Sequence, residues 1–148
     1  MMTTPWLLVE DEDASVFFFQ HVVKKLGITN ELFVVRDGRE AIDYVEGTGR
    51  FTDRLAFPLP GLVILDLRLP RATGFEVLER IRARPETRNL IVIMLTASGS
   101  GDDIAQAYRL GANAYLIKPL ALHDLEILVR SIKDFWLTQN HAPVAVNK

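Results

Sequence analysis

Five side chains able to do chemistry each follow a short apolar run in this sequence. Glu10 and Asp11 come after the first run and Asp66 after the third. Thr96 follows the fourth run and Lys118 the fifth. Carboxylates serve as covalent nucleophiles and as ligands of hard cations, whereas a hydroxyl and an ammonium can hold an anion. The set of residue types therefore suits an acidic site with one balancing cation.

Each of these positions has an ordinary explanation when it is taken alone. An Asp after a strand often caps a helix, and the Glu10–Asp11 pair suits the first turn of a helix because the helix dipole favours negative charge there. Thr96 could be another cap, and Lys118 a solvated side chain. Their joint occurrence favours a site only if the apolar runs lie side by side.

The apolar runs alternate with amphipathic stretches, which predicts strands separated by helices. The predicted strands are 6–9, 32–35, 62–65, 91–95 and 114–117, and the predicted helices are 12–26, 37–46, 74–83, 102–110 and 122–136. Asp37 with Glu40 three residues on forms a capping box. This alternation predicts a parallel sheet with right-handed crossovers, and such sheets bind ligands at the carboxyl ends of their strands. The five side chains should therefore meet at one edge.

Composition sets limits on the class of protein. The chain has 148 residues, 49% of them hydrophobic and 24% charged, which fits one globular domain. It has no cysteine, so disulfides and thiolate metal sites are excluded. The formal net charge of −2 argues against a broad nucleic-acid surface, and we interpret the basic residues at 80, 82, 84 and 88 as a solvated helix face. No apolar run is long enough for a membrane span and the N-terminus lacks a signal peptide, so a cytoplasmic location is expected.

Four motifs together resemble the receiver domains of two-component response regulators. They are LLVEDE at 7–12, VILDLRLP at 63–70, MLTA at 94–97 and YLIKP at 115–119. The resemblance covers residues 5–137 and implies a flavodoxin-like (βα)5 three-layer sandwich with strand order 2-1-3-4-5. It places the receiver domain at 1–137 and leaves 138–148 as a C-terminal tail that we expect to be disordered.

The resemblance also assigns roles to the acidic residues. Asp66 resembles the phosphoacceptor that takes a phosphoryl group from a kinase phosphohistidine. Asp11, Asp66 and the backbone carbonyl of Arg68 are implied ligands of Mg²⁺, and Glu10 contributes through a bound water. A divalent cation would offset the mutual repulsion of three carboxylates. At Arg68, a bulky cation beside the site could slow the access of water and prolong the phosphorylated state.

The remaining site residues follow from the same resemblance. Lys118 would pair with a phosphoryl oxygen, and a cis Lys118–Pro119 bond would help to aim it. Thr96 would donate its hydroxyl to another phosphoryl oxygen. Tyr115 matches the switch aromatic, which moves when Thr96 is drawn toward the phosphoryl group. The alternative for Tyr115 is a half-buried tyrosine that does not switch. Separately, Gly74 fits the turn that begins the third helix, and the flexibility of glycine alone would explain it equally well.

Two segments suggest partners. The long connection 47–60, with EGTGRFTDR, and the ending IKDFWL resemble the subgroup associated with bacterial phytochrome histidine kinases. No room for an effector domain follows Trp136, so output through protein contacts is expected. In the last helix a core stripe is predicted from Leu122, Leu125, Leu128, Val129, Ile132 and Trp136. Receivers often dimerise through the fourth helix, fifth strand and fifth helix, which predicts a homodimer using Tyr108, Ile127 and Phe135.

Three competing functions stay open at this point. The first is a receiver-like binding module that no longer takes a phosphoryl group. The second is a flavodoxin-like electron carrier, although Glu10, Asp11 and Glu12 would repel a flavin phosphate at the first strand end. The third is a phosphohydrolase, although Arg68 occupies the place where such enzymes carry a second Asp. We expect a phosphoacceptor signalling protein, with slow self-dephosphorylation at most, and not an enzyme acting on an external substrate.

Overall fold

The computed structural model describes residues 4–141 and residue 143, and a five-stranded parallel sheet forms its centre. The strands are β1 (Trp6–Val9), β2 (Leu32–Val35), β3 (Leu62–Leu65), β4 (Ile91–Thr96) and β5 (Ala114–Ile117). Their order is β2-β1-β3-β4-β5, which confirms the predicted topology. β3 and β4 are buried along their whole length, as expected of central strands covered on both faces.

Four α-helices connect the strands and a fifth follows β5, and together they cover the two faces of the sheet. They are α1 (Asp13–Lys25), α2 (Gly38–Glu46), α3 (Gly74–Ala83), α4 (Gly101–Arg109) and α5 (Leu122–Ile132). The predicted cap of α2 is present, because the Asp37 carboxylate accepts a 2.7 Å hydrogen bond from the backbone N–H of Glu40. Within the described residues, no helix combines the length and the apolar character that crossing a membrane requires.

Alternating strand residues build one core layer on each face of the sheet. Leu7, Val63 and Met94 face the layer that contains the buried residues of α2, α3 and α4. Leu8 and Ile64 face the layer that α1 and α5 complete. This period-two alternation continues past the strand ends and decides on which side each site residue emerges.

The long connection between α2 and β3 is packed against the body of the protein. Phe51, in a 3-10 turn over Gly49–Phe51, lies 5.0 Å from the Tyr44 ring and 5.0 Å from the Phe57 ring, centroid to centroid. Arg54 donates to the backbone carbonyls of Tyr44, Val45 and Phe57 at 2.7–3.0 Å. The connection therefore ties itself to the carboxyl-terminal end of α2, whose carbonyls lack partners within the helix.

The end of the chain differs from the prediction. The α-helix stops at Ile132, and a wider π-helical segment continues over Lys133–Gln139. Leu122 was predicted in the core stripe but is 43% exposed, and it is the first residue of α5. Val129 and Ile132 are buried as predicted. Of the predicted tail, 138 and 139 belong to the π-helical segment, 140, 141 and 143 are also described, and 142 and 144–148 lie outside the described residues.

The interpretation of the basic group as a solvated face is wrong for one member. Arg82 donates five hydrogen bonds, at 2.7–2.9 Å, to Gly111 O (twice), Arg88 O, Leu90 O and Asn113 Oδ1. It is half-buried, whereas the other three arginines of the group are exposed. Its planar guanidinium, with five donors, fastens the end of α3 to the chain segments that precede β4 and β5.

Candidate functional site

The strand register brings the ends of β1 and β3 next to each other. Val9 pairs with Leu65, so the residues that follow them, Glu10 and Asp66, are neighbours. The backbone N–H of Asp66 donates to Val9 O at 3.2 Å, which fixes the two chain ends together. Glu10 and Asp66 both continue the alternation of the face covered by α1 and α5, and both are buried, at 3% and 6% exposure.

Three carboxylates gather at this point of the sheet edge. Glu10, Asp11 and Asp66 each offer one oxygen, and the three oxygens lie within 4.8 Å of one another. Asp11 is exposed, so the cluster opens to solvent on one side. Several oxygen donors of negative charge with an open side suit a hard divalent cation that keeps some of its water. The residue types and spacing therefore fit Mg²⁺ or a similar ion.

Lys118 supplies the positive charge of the cluster. Its ammonium lies 2.8 Å from Asp66 Oδ2, forms an ion pair with Glu10, and is 3.6 Å from Glu12. Burial, the largest influence, lowers the pKa of Lys118, but the hydrogen bonds and charges of Asp66 and Glu10 outweigh it and leave the pKa above its usual value. Burial raises the pKa of Glu10, and the hydrogen bond from Lys118 opposes that rise. Lys118 is thus held charged between two buried carboxylates.

The expected cis bond before Pro119 is absent. The Lys118–Pro119 peptide is trans, as are all peptide bonds in the described residues. The backbone N–H of Lys118 donates to Thr96 O at 2.8 Å, which already fixes where β5 ends relative to β4. Since Lys118 reaches both carboxylates from this position, aiming it needs no cis peptide.

Thr96 and Tyr115 lie on the other face of the sheet. Thr96 ends β4 and is 1% exposed, in register with Ile117 of β5. Tyr115 pairs with Met94 and packs against the core layer of α2, α3 and α4. Its hydroxyl donates to Ser98 O at 2.9 Å. Burial raises the pKa of Tyr115, so the hydroxyl keeps its proton for that bond at neutral pH.

The backbone behind Asp66 is tightly packed. The N–H of Gly74 donates to Leu67 O at 2.9 Å, and a Cβ placed on Gly74 would lie 2.2 Å from Asp66 O. Gly74 is therefore required for close approach, and flexibility is not the reason for it. On the site side, the N–H of Arg68 lies 3.3 Å from Asp66 Oδ1 and donates to it. The loop after β3 thus wraps around the carboxyl group of Asp66.

Two residues beside the site were missed by the sequence reasoning. The Ser98 hydroxyl donates to Asp103 Oδ2 at 2.6 Å, and the Arg68 guanidinium lies 3.9 Å from the same oxygen. Asp103 stands in the first turn of α4, where its N–H bonds to the Ser100 side chain. The S-x-x-D pattern at 100–103 is a capping signal that could have located this turn, but not the contact with Arg68.

Comparison with known proteins identifies related chains over nearly the whole sequence. Residues 6–130 match the response regulator receiver domain family. The probable methanogenesis regulatory protein FilR2 of Methanothrix harundinacea is 42% identical over 140 residues, which are 93% of this chain and 86% of that protein. Response regulator Rcp1 of a Synechocystis species is 38% identical over 139 residues, covering 94% and 92% of the two chains.

Solved structures agree with the sequence relatives. The Mn²⁺-bound form of Rcp1 superimposes with a TM-score of 0.86 at 37% identity, over 96% of this chain and all of that one. The phosphorylated cyanobacterial phytochrome response regulator RcpA gives a TM-score of 0.89 at 33% identity, over 97% and 100% of the chains. The flavodoxin-like fold and the likeness to phytochrome-associated regulators are thereby confirmed.

Proposed function

The chain belongs to the response regulator receiver family, and on that premise we propose that it accepts a phosphoryl group on Asp66 from a sensor histidine kinase. The observation that supports this most is the nearly buried carboxylate of Asp66, hydrogen-bonded to Lys118 and clustered with Glu10 and Asp11 at the sheet edge. In the transfer, the phosphorus–nitrogen bond of the phosphohistidine breaks and a phosphorus–oxygen bond to Asp66 forms. The electron pair of the broken bond returns to the imidazole nitrogen.

Mg²⁺ is the cation that we propose for the cluster. Asp11 and Asp66 would hold it with the carbonyl of Arg68, and Glu10 would act through a water. When bound, the ion supplies charge neutralisation for the transferred group. The Mn²⁺-bound form of Rcp1 supports a divalent ion in a similar protein.

We propose that the chain's own residues orient the transferred phosphoryl group. Lys118 is within hydrogen-bond reach of Asp66 and can exchange one carboxylate contact for a phosphoryl oxygen. Thr96 would donate its hydroxyl to a second oxygen from the neighbouring strand. We propose that the accompanying shift of Thr96 changes the position of Tyr115, whose hydroxyl donates a hydrogen bond to Ser98 O. This would transmit the charge change to the surface of α4 and β5.

The competing function is a receiver-like module that binds partners without phosphorylation. Incubation with acetyl phosphate and Mg²⁺, followed by intact mass measurement, separates the two. We expect one added phosphoryl group in the wild type and none in Asp66→Asn or when a chelator replaces Mg²⁺. An unmodified wild-type mass under conditions that phosphorylate another receiver would favour the binding module.

A phytochrome-type histidine kinase is the partner that we propose. The likeness to RcpA, which is named as a phytochrome response regulator, supports this assignment. FilR2 is at least as similar in sequence and carries a different name, so the kinase has to be found by experiment. Phosphotransfer profiling against the histidine kinases of the host should show fastest transfer from a phytochrome kinase. Faster transfer from another kinase class would overturn the assignment.

A cytoplasmic location and output through protein contacts, without turnover of an external substrate, complete the proposal.

We also propose a homodimer through the face formed by α4, β5 and α5. Tyr108 of α4, Ile127 of α5 and Phe135 of the π-helical segment after α5 are 50%, 49% and 52% exposed, so three large apolar side chains are available for such a contact. Light scattering of the wild type, with and without phosphorylation, should show a dimer in at least one state. Ile127→Asp should weaken it, whereas Leu55→Asp, at a 96% exposed position in the connection before β3, should not. A monomer in both states would contradict the proposal.

A further inference from the structure

Asp103 lies in the first turn of α4, next to the solvent-exposed side of the acidic site. Together with Asp11 and Arg68, it lines an open pocket beside the acidic cluster. Its carboxylate accepts the 2.6 Å hydrogen bond from Ser98 and faces the Arg68 guanidinium at 3.9 Å through the same oxygen. The backbone of Asp103 is fixed by the cap of α4, where its N–H bonds to the Ser100 hydroxyl at 3.4 Å. Asp103 is therefore held through its side chain and its backbone, so we expect the Arg68 side chain to be the partner that moves.

Arg68 has two possible anionic partners, which are the Asp103 carboxylate and a phosphoryl group on Asp66. Its backbone N–H donates to Asp66 Oδ1, so its side chain starts beside the carboxyl group that we propose to be phosphorylated. Its side chain is 82% exposed, and at 3.9 Å its contact with Asp103 is a weak surface ion pair. An aspartyl phosphate would add a group with nearly two negative charges and three acceptor oxygens beside the start of this side chain. Guanidinium groups bind phosphoryl oxygens strongly.

We propose that Asp103 is a positioning residue that competes with the phosphorylated Asp66 for Arg68 and so sets the lifetime of the phosphoryl group. This rests on the function proposed above. In hydrolysis, a water oxygen forms a bond to phosphorus, the phosphorus–oxygen bond to Asp66 breaks, and inorganic phosphate and a proton leave. While Asp103 holds the guanidinium, the solvent-exposed side of the site stays open to that water. When Arg68 turns to the phosphoryl group, it covers the phosphorus and slows the attack.

The competition predicts opposite effects of substitutions on the two partners. Asp103→Asn removes the negative charge but keeps an oxygen that can accept a hydrogen bond from Ser98. It should therefore weaken the contact with Arg68 and leave the contact with Ser98 in place. It should lengthen the phosphoryl lifetime by roughly two- to five-fold, the range that an exposed ion pair supplies. Arg68→Ala should shorten the lifetime. In Asp103→Asn/Arg68→Ala the lifetime should equal that of Arg68→Ala, because Asp103 acts only through Arg68.

The experiment measures loss of the phosphoryl group after acetyl phosphate is removed, by intact mass over time, in all three variants and the wild type. Asp102→Asn is the matched control, since Asp102 is an exposed carboxylate in the same helical turn and should leave the lifetime unchanged. High salt should reduce the difference between wild type and Asp103→Asn, because it screens exposed pairs.

Three results would overturn the inference. The first is a phosphoryl lifetime in Asp103→Asn equal to that of the wild type. The second is an equal change of the lifetime in Asp102→Asn, and the third is a difference in lifetime between Asp103→Asn/Arg68→Ala and Arg68→Ala. Failure of the proposed function is distinguishable from all of these, because then the wild type would take up no phosphoryl group at all.

Discussion

At the scale of single residues, the side chains and the backbone of the site are closely packed against one another. Lys118 is held between Asp66 and Glu10, and the backbone of Gly74 lies directly behind Asp66. The residue types of the acidic cluster could be predicted from the sequence because each follows a strand end. The steric need for Gly74 could not, because it depends on how closely α3 approaches the loop after β3.

Gly74→Ala should therefore damage both stability and the site. The added methyl group has only 2.2 Å to the carbonyl oxygen of Asp66, so backbone must shift. We expect a loss of about 1–3 kcal/mol in the free energy of unfolding, measured by urea denaturation, together with slower phosphorylation. Gly101→Ala is the control, because a Cβ there meets nothing within 4 Å. Equal stability of Gly74→Ala and wild type would refute the steric argument.

At the scale of elements, local pattern predicted most of the sheet. The bounds of β1, β2, β3 and β5 match the apolar runs, and β4 is longer than predicted by one residue, Thr96. The last helix was less predictable. Its pattern continues through Trp136, but the hydrogen bonding changes after Ile132, which depends on packing and not on residue period. Arg82 was misassigned for a similar reason, since its partners lie in distant turns.

Arg82→Lys should reveal how α3 is fastened. A lysine keeps the charge but cannot reproduce five bonds in a planar fork, so carbonyls such as Leu90 O and Gly111 O would lose their donor. We expect a loss of about 1–3 kcal/mol in the free energy of unfolding, measured by chemical denaturation. The exposed Arg84→Lys should change it by less than about 0.5 kcal/mol. Similar effects at both positions would show that the Arg82 bonds contribute little.

The connection before β3 is an element in its own right. Its aromatic side chains close over Tyr44, whose hydroxyl donates to Pro58 O at 2.9 Å and whose ring is 1% exposed. It leads to Gly61, whose N–H bonds to Pro5 O at the amino-terminal edge of the sheet, opposite Asp66. The sequence indicated an unusual loop, whereas its aromatic packing became visible only in the structure.

Tyr44 makes the stability of this element depend on alkaline pH. Burial raises the pKa of Tyr44 to about 12, above its value of 10.0 when exposed. A raised pKa in the folded state means that the contribution is fully present below pH 10 and is lost as pH rises through 12. That loss amounts to about 2–3 kcal/mol. Tyr44→Phe should be less stable at pH 8 and should lose less stability between pH 10 and 12 in urea unfolding.

The exposed Tyr108→Phe serves as the control for that measurement. Because Tyr108 is 50% exposed, its replacement should change the free energy of unfolding by less than about 0.5 kcal/mol. If Tyr44→Phe lost stability as steeply as wild type over the same range, the alkaline sensitivity would have to come from other groups.

At the scale of the whole molecule, the acidic cluster, the connection before β3 and the proposed dimer face occupy different parts of the fold. The acidic cluster lies at the carboxyl edge of the sheet, the aromatic connection at the opposite edge, and the proposed dimer face beside the edge strand β5. The strand order was implied by the resemblance to receiver domains. The meeting of Glu10, Asp66 and Lys118 could be predicted from the pattern, because the carboxyl ends of parallel strands lie at one edge of the sheet. The contact of Arg68 with Asp103 could not, because it depends on how the loop after β3 meets the first turn of α4.

The destination of the phosphoryl group tests the central claim most directly. The wild type would be treated with acetyl phosphate and Mg²⁺ and then reduced with borohydride, which converts an aspartyl phosphate to homoserine. Peptide mass spectrometry would then locate the altered residue. We predict homoserine at position 66 alone, and none when Mg²⁺ is replaced by a chelator. Conversion of a different carboxylate, or no conversion in a folded protein with divalent ion present, would contradict the account.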